Sequence, residues 1–404
     1  MKTVDKSTRL ENAHYEIRGP ILEEAMRMEA AGEKILKLNI GNPAAFGFDS
    51  PPAIREALAE SLLRAQGYSQ SKGITDAREA IADYCAYKGM KNVGVGDIFT
   101  GNGVSELILM AMQAFLEPGD EVLLPAPDYP LWTAAVSLNG GVPVHYRCDE
   151  QAGWFPDVAD MRKKVTPRTR AIVIINPNNP TGVLYPREVL EDVAAVAREF
   201  DLTVFADEIY DRLLMDGQKH TAFAAVAPDL FVVSMNGLSK SHLATGFRSG
   251  WMCMCGEKAH AKGYIEGVNT LASMRLCSNV PAQHIIPLAL ADRDRPDPLY
   301  LPGGKVYERR EAICKALEEV DGITAVRPNA AFYVFPKIDI KRFNTTDRDF
   351  CFGLLREKKI LVVSGSGFNW EQPDHFRIVY LPEPDELRSA ARGISQYLSG
   401  LETK

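Results

Sequence analysis

Three short stretches of this 404-residue chain place reactive side chains directly after apolar runs. Lys240 follows NGLS in a segment poor in charge, with Arg248 further along the same stretch. An amine that is desolvated, or that lies near another cation, loses basicity and becomes usable as a nucleophile or base near neutral pH. Asp207 and Glu208 follow the run TVFA. That run should carry at least one carboxylate to a buried or half-buried place, which is unfavourable unless a cation meets it. A protonated ring nitrogen would be such a cation. Tyr210 adds a phenol able to donate to an oxygen anion. In NPNNPTG, residues 176–182, two prolines and a final glycine fix an irregular loop that holds out the amide of Asn179.

Each piece is ordinary alone. A lysine after a strand is more often a solvated surface residue, Asp207 could cap a helix, and NPNNPTG could be only a turn. Cys253 and Cys255 form a CxC pair inside the apolar run Trp251 to Cys255, with no partner pair at ligand spacing. They read as buried strand cysteines rather than a metal site. Seven cysteines, an odd number, with no secretory signal, imply reduced thiols.

The elements that must position these residues are βα-layered. Glu121 to Pro125, Ala171 to Asn176, Thr203 to Asp207 and Phe231 to Ser234 read as strands. Between them Pro186 to Phe200 carries Val189, Leu190, Val193, Val196 and Ala197 at helical spacing. The pattern predicts an α/β fold with a mostly parallel sheet. Three strands run into NPNNPTG, DEIY and NGLSK, so their polar ends should share one sheet edge, where open α/β folds place ligands.

From about residue 300 the texture changes. Tyr307 to Val320 reads as a charged helix, and Gly322 to Val326, Phe332 to Phe335 and Phe376 to Val379 as strands, giving a smaller α+β domain. The expected division is residues 46–297 for the large domain, with 1–45 and 298–404 forming the small one. A long helical stretch after Pro281 should bridge them.

Bulk properties exclude several functions. A net charge of −7 offers no basic footprint for nucleic acid or anionic membrane. The longest apolar runs, such as Ala171 to Ile175, fall far short of the roughly 20 residues a membrane helix needs. The charged start MKTVDKSTRLENAHY has no signal core, so a cytoplasmic protein is expected. No GxGxxG follows a strand, which argues against a Rossmann dehydrogenase. A transcriptional regulator would need an added helix-turn-helix and a basic surface, and neither is expected here.

Taken together, Asn179, Asp207, Tyr210, Lys240 and Arg248, on successive strand ends within NPTG, DEIY, SK and GFRSGW, resemble the cofactor site of the class I and II aminotransferases. These are fold-type-I pyridoxal 5'-phosphate enzymes, and the resemblance covers nearly the whole chain. It implies that Lys240 holds the cofactor as a Schiff base and then shuttles the substrate proton. It implies that Asp207 pairs with the pyridinium nitrogen, and that Tyr210 and Asn179 bond the ring oxygen. Arg248, Ser239 and the backbone amides around Val104 and Ser105 would hold the phosphate, where TGNGVSEL turns a glycine-rich loop into a helix N-terminus.

By the same resemblance Tyr129, in PAPDYPLW, stacks on the cofactor. Tyr68, in QGYSQSKG, reaches the phosphate of a neighbouring subunit, which implies a homodimer with shared sites. Arg377, in DHFRIVY, would bind the substrate α-carboxylate with Gly41 and Asn179, a guanidinium offering two parallel donors.

HYEIRGPI, with KLNIGNP, GWFPD and LASMRLCSNVPAQ, resembles the alanine (glutamate–pyruvate) aminotransferases most. Arg18 would then lie near the distal carboxylate of glutamate, and Tyr15 would close over small substrates. The implied reaction moves an amino group between L-alanine and 2-oxoglutarate, giving pyruvate and L-glutamate by a ping-pong route. One departure is SKSHLATGFR, where Ser241 and His242 replace a more usual threonine and aromatic. Another small aliphatic or aromatic amino donor, or lyase, racemase or decarboxylase chemistry on the same fold, stays open.

Overall fold

The computed structural model describes residues 3–10, 19–293 and 297–401. After the short β1 (Leu36–Lys37), eight strands pair into one sheet. They are β2 (Ile98–Asn102), β3 (Glu121–Ala126), β4 (Val142–Asp149), β5 (Phe155–Pro156), β6 (Thr169–Ile175), β7 (Thr203–Asp207), β8 (Phe231–Gly237) and β9 (Ser249–Gly256). Their order across the sheet is β2-β9-β8-β7-β6-β3-β4-β5. The five strands from β8 to β4 run parallel, while β9 is antiparallel to both its neighbours and β5 is a short antiparallel edge.

The central strands read as unbroken apolar runs because both faces of the sheet are covered. Along β6, Ile172 and Ile174 join one core with Leu190, Val193 and Val196 of the helix Arg187–Glu199. Ala171, Val173 and Ile175 point the other way, into a second core with Leu107, Ile108 and Met112 of the helix Val104–Phe115. Period two along the strand thus feeds two layers of helix. Cys253 and Cys255 are both buried on β9.

In the last third, the helix Lys305–Glu318 precedes β10 (Ile323–Thr324), β11 (Tyr333–Val334), β12 (Lys337–Ile338), β13 (Ile360–Leu361), β14 (Val363–Ser364) and β15 (Phe376–Val379). Strands β11 and β14 flank β15 in a small antiparallel sheet. Against it pack Ile313 and Leu317 of the helix Lys305–Glu318 and Leu387 and Ile394 of the helix Pro384–Leu401. Strand β1 pairs in parallel with β13, and the Val379 amide donates to the Leu38 carbonyl at 2.9 Å. LNIGNP is thereby laid beside the strand that carries Arg377.

One expectation fails here. The stretch after Pro281 is not one long helix but two short ones, Val280–His284 and Ile286–Ala291. Pro281 and Pro287 each sit in the first turn of a helix. A proline has no N–H to continue a preceding helix and a φ suited to beginning a new one, so Pro287 restarts the chain.

Candidate active site

The register of the parallel strands sets their ends level: Ile175 lies opposite Asp207, and Asp207 opposite Met235. The chain emerging from these ends, together with residues from the small sheet, encloses a cavity of about 710 Å³. Lys240, Asp207, Tyr210 and Asn179 line it, as do Tyr129, Val104, Ser105, Ser239, Arg248, Gly41 and Arg377. Eleven residues expected from sequence therefore meet at one place. Tyr68 does not line it and is 82% exposed on this chain. Tyr15 and Arg18 lie outside the described residues.

Lys240 stands in the helical turn Leu238–Ser241 that follows β8. Its Nζ donates to the Gly41 carbonyl at 2.9 Å and lies 5.5 Å from the centre of the Phe332 ring. Desolvation, and then the charges of Arg377 and Arg248, lower this amine to about 8. A sizeable neutral fraction is available near neutral pH, which a nucleophile or base requires.

Asp207 ends β7 fully inside the protein. Its carboxylate accepts from Trp132 Nε1 at 3.1 Å and from the Ile209 amide at 3.3 Å. Burial raises it to about 6, those two donors only partly opposing the shift. No cation contributes to holding its charge among the described residues. Its neighbour Glu208 does not line the cavity. Glu208 accepts from the Phe223 amide and the Ser234 hydroxyl, both at 2.8 Å, and burial raises it to about 7. Of the adjacent acids, one faces the cavity and the other joins the start of the helix Phe223–Val226 to β8.

NPNNPTG is both an ordered turn and a wall. Asn178 Oδ1 accepts from the Thr181 hydroxyl at 2.8 Å, and Asn176 Oδ1 accepts from the Tyr185 amide at 2.8 Å. So held, Asn179 Oδ1 accepts from Arg377 Nη1 at 2.9 Å. Arg377 is buried on β15, donates also to the Asn39 carbonyl, and lies 4.8 Å from the Tyr333 ring and 4.6 Å from the Phe368 ring. A strand arginine facing solvent is ruled out by these contacts.

At the other end, Gly103 (φ 79) leads into the helix Val104–Phe115. A Cβ on Gly250, of GFRSGW, would lie 2.8 Å from the Gly103 carbonyl carbon and from the Val104 nitrogen, so only glycine lets β9 come this close. Arg248 holds a left-handed conformation (φ 55) and donates to the Thr245 carbonyl at 2.9 Å and the Asn102 carbonyl at 3.2 Å. Helix N–H groups, two serines and a guanidinium along one wall make a site suited to a phosphate. Tyr129 is anchored through its neighbour Asp128, which accepts from Thr133 Oγ1 and Asn369 Nδ2, both at 2.7 Å.

Ser241 and His242 do not line the cavity. The Ser241 hydroxyl lies 2.8 Å from His242 Nδ1, and His242 Nε2 lies 2.9 Å from the Ala289 carbonyl. Burial lowers His242 to about 4, so the ring is neutral, donates from Nε2, and pins the turn that carries Lys240 from behind.

Sequence reasoning missed three residues. Tyr333 lines the cavity, its hydroxyl 2.8 Å from that of Tyr210. Asn39 also lines it, buried, with neither side-chain amide atom partnered among the described residues. Trp132 orients Asp207. The strand signal at Phe332 to Phe335 and the motifs LNIGNP and PLW were the only hints, and none fixes which way these side chains face.

The sequence matches the family described as aminotransferase class I and II over residues 33–394. It is 53% identical to the glutamate-pyruvate aminotransferase AlaA of Escherichia coli K12 over 401 residues, 99% of each chain. It is 48% identical to the alanine aminotransferase of Mycobacterium bovis over 395 residues, 97% of this chain and 92% of that one. A crystal structure of an aminotransferase from Escherichia coli superposes with a TM-score of 0.97 at 53% identity, covering 99% of each chain. The chain belongs to the class I and II aminotransferases. Its architecture is that of the fold-type-I transferases, as the sheet order above describes.

Proposed function

We propose that this transaminase is an alanine aminotransferase, exchanging amino groups between L-alanine and 2-oxoglutarate to give pyruvate and L-glutamate, with pyridoxal 5'-phosphate held at Lys240. The single observation that carries the cofactor assignment is the pairing, in one cavity, of a depressed amine at Lys240 with a buried carboxylate at Asp207 that meets no cation among the described residues.

The donor set fits that cofactor. Asp207 would meet the protonated ring nitrogen, the cation it lacks, and would hold the proton there. Tyr210 and Asn179 would face the ring oxygen and Tyr129 the ring. Arg248, Ser239 and the amides of Val104 and Ser105 would take the phosphate. Bound there, pyridoxal phosphate supplies an electron sink for the pair left on the substrate Cα when its proton departs.

Lys240 Nζ is the base that takes the Cα proton and the acid that returns it, a role its lowered basicity suits. Arg377 and Asn179, already bonded to each other, hold the α-carboxylate with Gly41 beneath it. The preference for alanine and glutamate is supported by the relatives named above; the same proposal assigns Tyr15 to closing over the substrate and Arg18 to the distal carboxylate.

The same proposal includes a cytoplasmic homodimer. The exposure of Tyr68 suits a residue that completes the partner's phosphate site. Among the described residues no helix is long and apolar enough to cross a membrane. Residues 46–297 would form the large domain, with 1–45 and 298–404 as the small one.

The test is an absorbance spectrum of the purified protein before and after L-alanine, then after 2-oxoglutarate. A visible band should move to the ultraviolet with alanine and return with the oxo acid. Pyruvate release from L-alanine should stop at about one equivalent per cofactor until the oxo acid is added; an amino acid consumed over many turnovers by elimination or decarboxylation with no acceptor would instead indicate lyase chemistry, and the absence of a visible band after added pyridoxal phosphate would refute the cofactor assignment.

A further inference from the structure

We propose that Tyr333 is a positioning residue that couples the two halves of the site, its hydroxyl orienting the Tyr210 phenol and its ring supporting the Arg377 guanidinium. The inference rests on the proposed function in taking pyridoxal phosphate to be bound at Lys240 with Tyr210 at its ring oxygen, Arg377 to hold the substrate carboxylate, and L-alanine and 2-oxoglutarate to be substrates.

Strand β11 pairs Tyr333 with Val379 on β15, the strand of Arg377, and buries the tyrosine to 2% exposure. Three contacts then meet on this one side chain. Its hydroxyl lies 2.8 Å from that of Tyr210, with the rings edge-on at 5.6 Å and 84°. Its ring is 4.8 Å from the Arg377 guanidinium carbon. The same hydroxyl would be only 2.6 Å from a Cβ on Gly41, whose carbonyl accepts from Lys240. Any shift of Tyr333 is felt by the phenol, the guanidinium and the Gly41 backbone together.

Proton bookkeeping fixes the direction of the phenol pair. A phenol has one proton to donate. When Tyr210 gives its proton to the cofactor's ring oxygen, the 2.8 Å contact must be donated by Tyr333. A donor behind Tyr210 polarises its O–H and strengthens its own donation, as in any hydrogen-bond chain. The ring contact is separate: a guanidinium over an aromatic face is held by the ring's quadrupole. Tyr333 therefore has two handles that substitution can separate.

The experiment titrates the visible band of the holoenzyme with pH in wild type, Tyr333→Phe, Tyr210→Phe and the double variant, and measures KM for L-alanine and 2-oxoglutarate. The charged groups around the Tyr210 hydroxyl, Asp207, Arg377 and Lys240, are the same in all four. Tyr333→Phe should raise the spectral midpoint by about half to one pH unit, the size expected for one hydrogen bond to a group that stabilises an anion. It should cause no further shift once Tyr210 is phenylalanine, because the effect passes through that phenol. It keeps the ring, so KM should stay within about twofold, while Tyr333→Leu should raise KM roughly three- to tenfold.

An unchanged midpoint in Tyr333→Phe, or an equal shift with and without Tyr210, overturns the proposal. So does a KM that rises as much in Tyr333→Phe as in Tyr333→Leu. A wild-type protein with no band at all defeats the functional reading and this inference with it, an outcome distinct from a band that titrates identically in wild type and variant.

Discussion

The two walls of the cavity are built on opposite terms. Along the sheet edge, the reactive groups are held short of charged partners among the described residues: Asp207 has two neutral donors and no cation, and the Lys240 amine donates to a carbonyl beside the Phe332 ring. Across from them, Arg377 is held by Asn179, by the Asn39 carbonyl and between two aromatic rings. The first wall has perturbed protonation because its stabilising partner must come from a ligand. The second is set in advance, so little order has to be gained when a carboxylate arrives. Reactivity and recognition are thus divided between the strands of the large sheet and those of the small one.

Substitutions on the two walls should differ in size and in the quantity they change. Lys240→Ala should lower amino transfer by at least about a thousandfold, since it removes both the cofactor attachment and the general base. Single-turnover kinetics with L-alanine would measure this. Asp207→Asn should lower kcat by about a hundredfold or more, as expected for the loss of one preorganised charge.

Asp207→Asn also has a signature in stability. In the cofactor-free protein the Asp207 carboxyl is raised to about 6, above its value near 4 when unfolded. Between these values the folded state binds more protons, so wild-type stability contains a term that is present below pH 4 and is lost as pH rises through 6. The asparagine variant lacks that term. Its melting temperature relative to wild type should therefore rise between pH 4 and 6 and level off above, a difference that isolates Asp207 from Glu208 and Lys240.

On the recognition wall, Arg377→Lys should act mainly on KM, by roughly ten- to a hundredfold, because a lysine cannot reproduce the planar fork. If kcat falls as far as KM rises, the division between the walls is wrong. The smallest effect is expected from Trp132→Phe, which removes one donor to Asp207: a few-fold loss in kcat and little change in KM.

The same division governs what was readable from sequence. The sheet-edge residues announce themselves because continuous apolar runs, buried on both faces, stop abruptly at NPNNPTG, DEIY and NGLSK. A strand end is a place that local sequence can specify. The small-sheet wall depends on pairing between distant segments. Arg377 was legible only through its resemblance to a family, and Tyr333 was hidden because the direction of a side chain on a two-residue strand is fixed by its partner Val379. Trp132 reaches Asp207 across 75 positions of sequence, which no local pattern records. The stretch after Pro281 looked like one helix because its apolar spacing is helical, but Pro287 divides it.

The most direct test of the account is borohydride reduction of the freshly purified holoenzyme, which makes a lysine-to-cofactor C=N bond permanent, followed by peptide mass spectrometry. The account predicts one pyridoxyl-phosphate adduct, on the peptide containing Lys240, and none when the protein is first converted with L-alanine. An adduct on another lysine, or none on any peptide from a protein that carries the visible band, would contradict it.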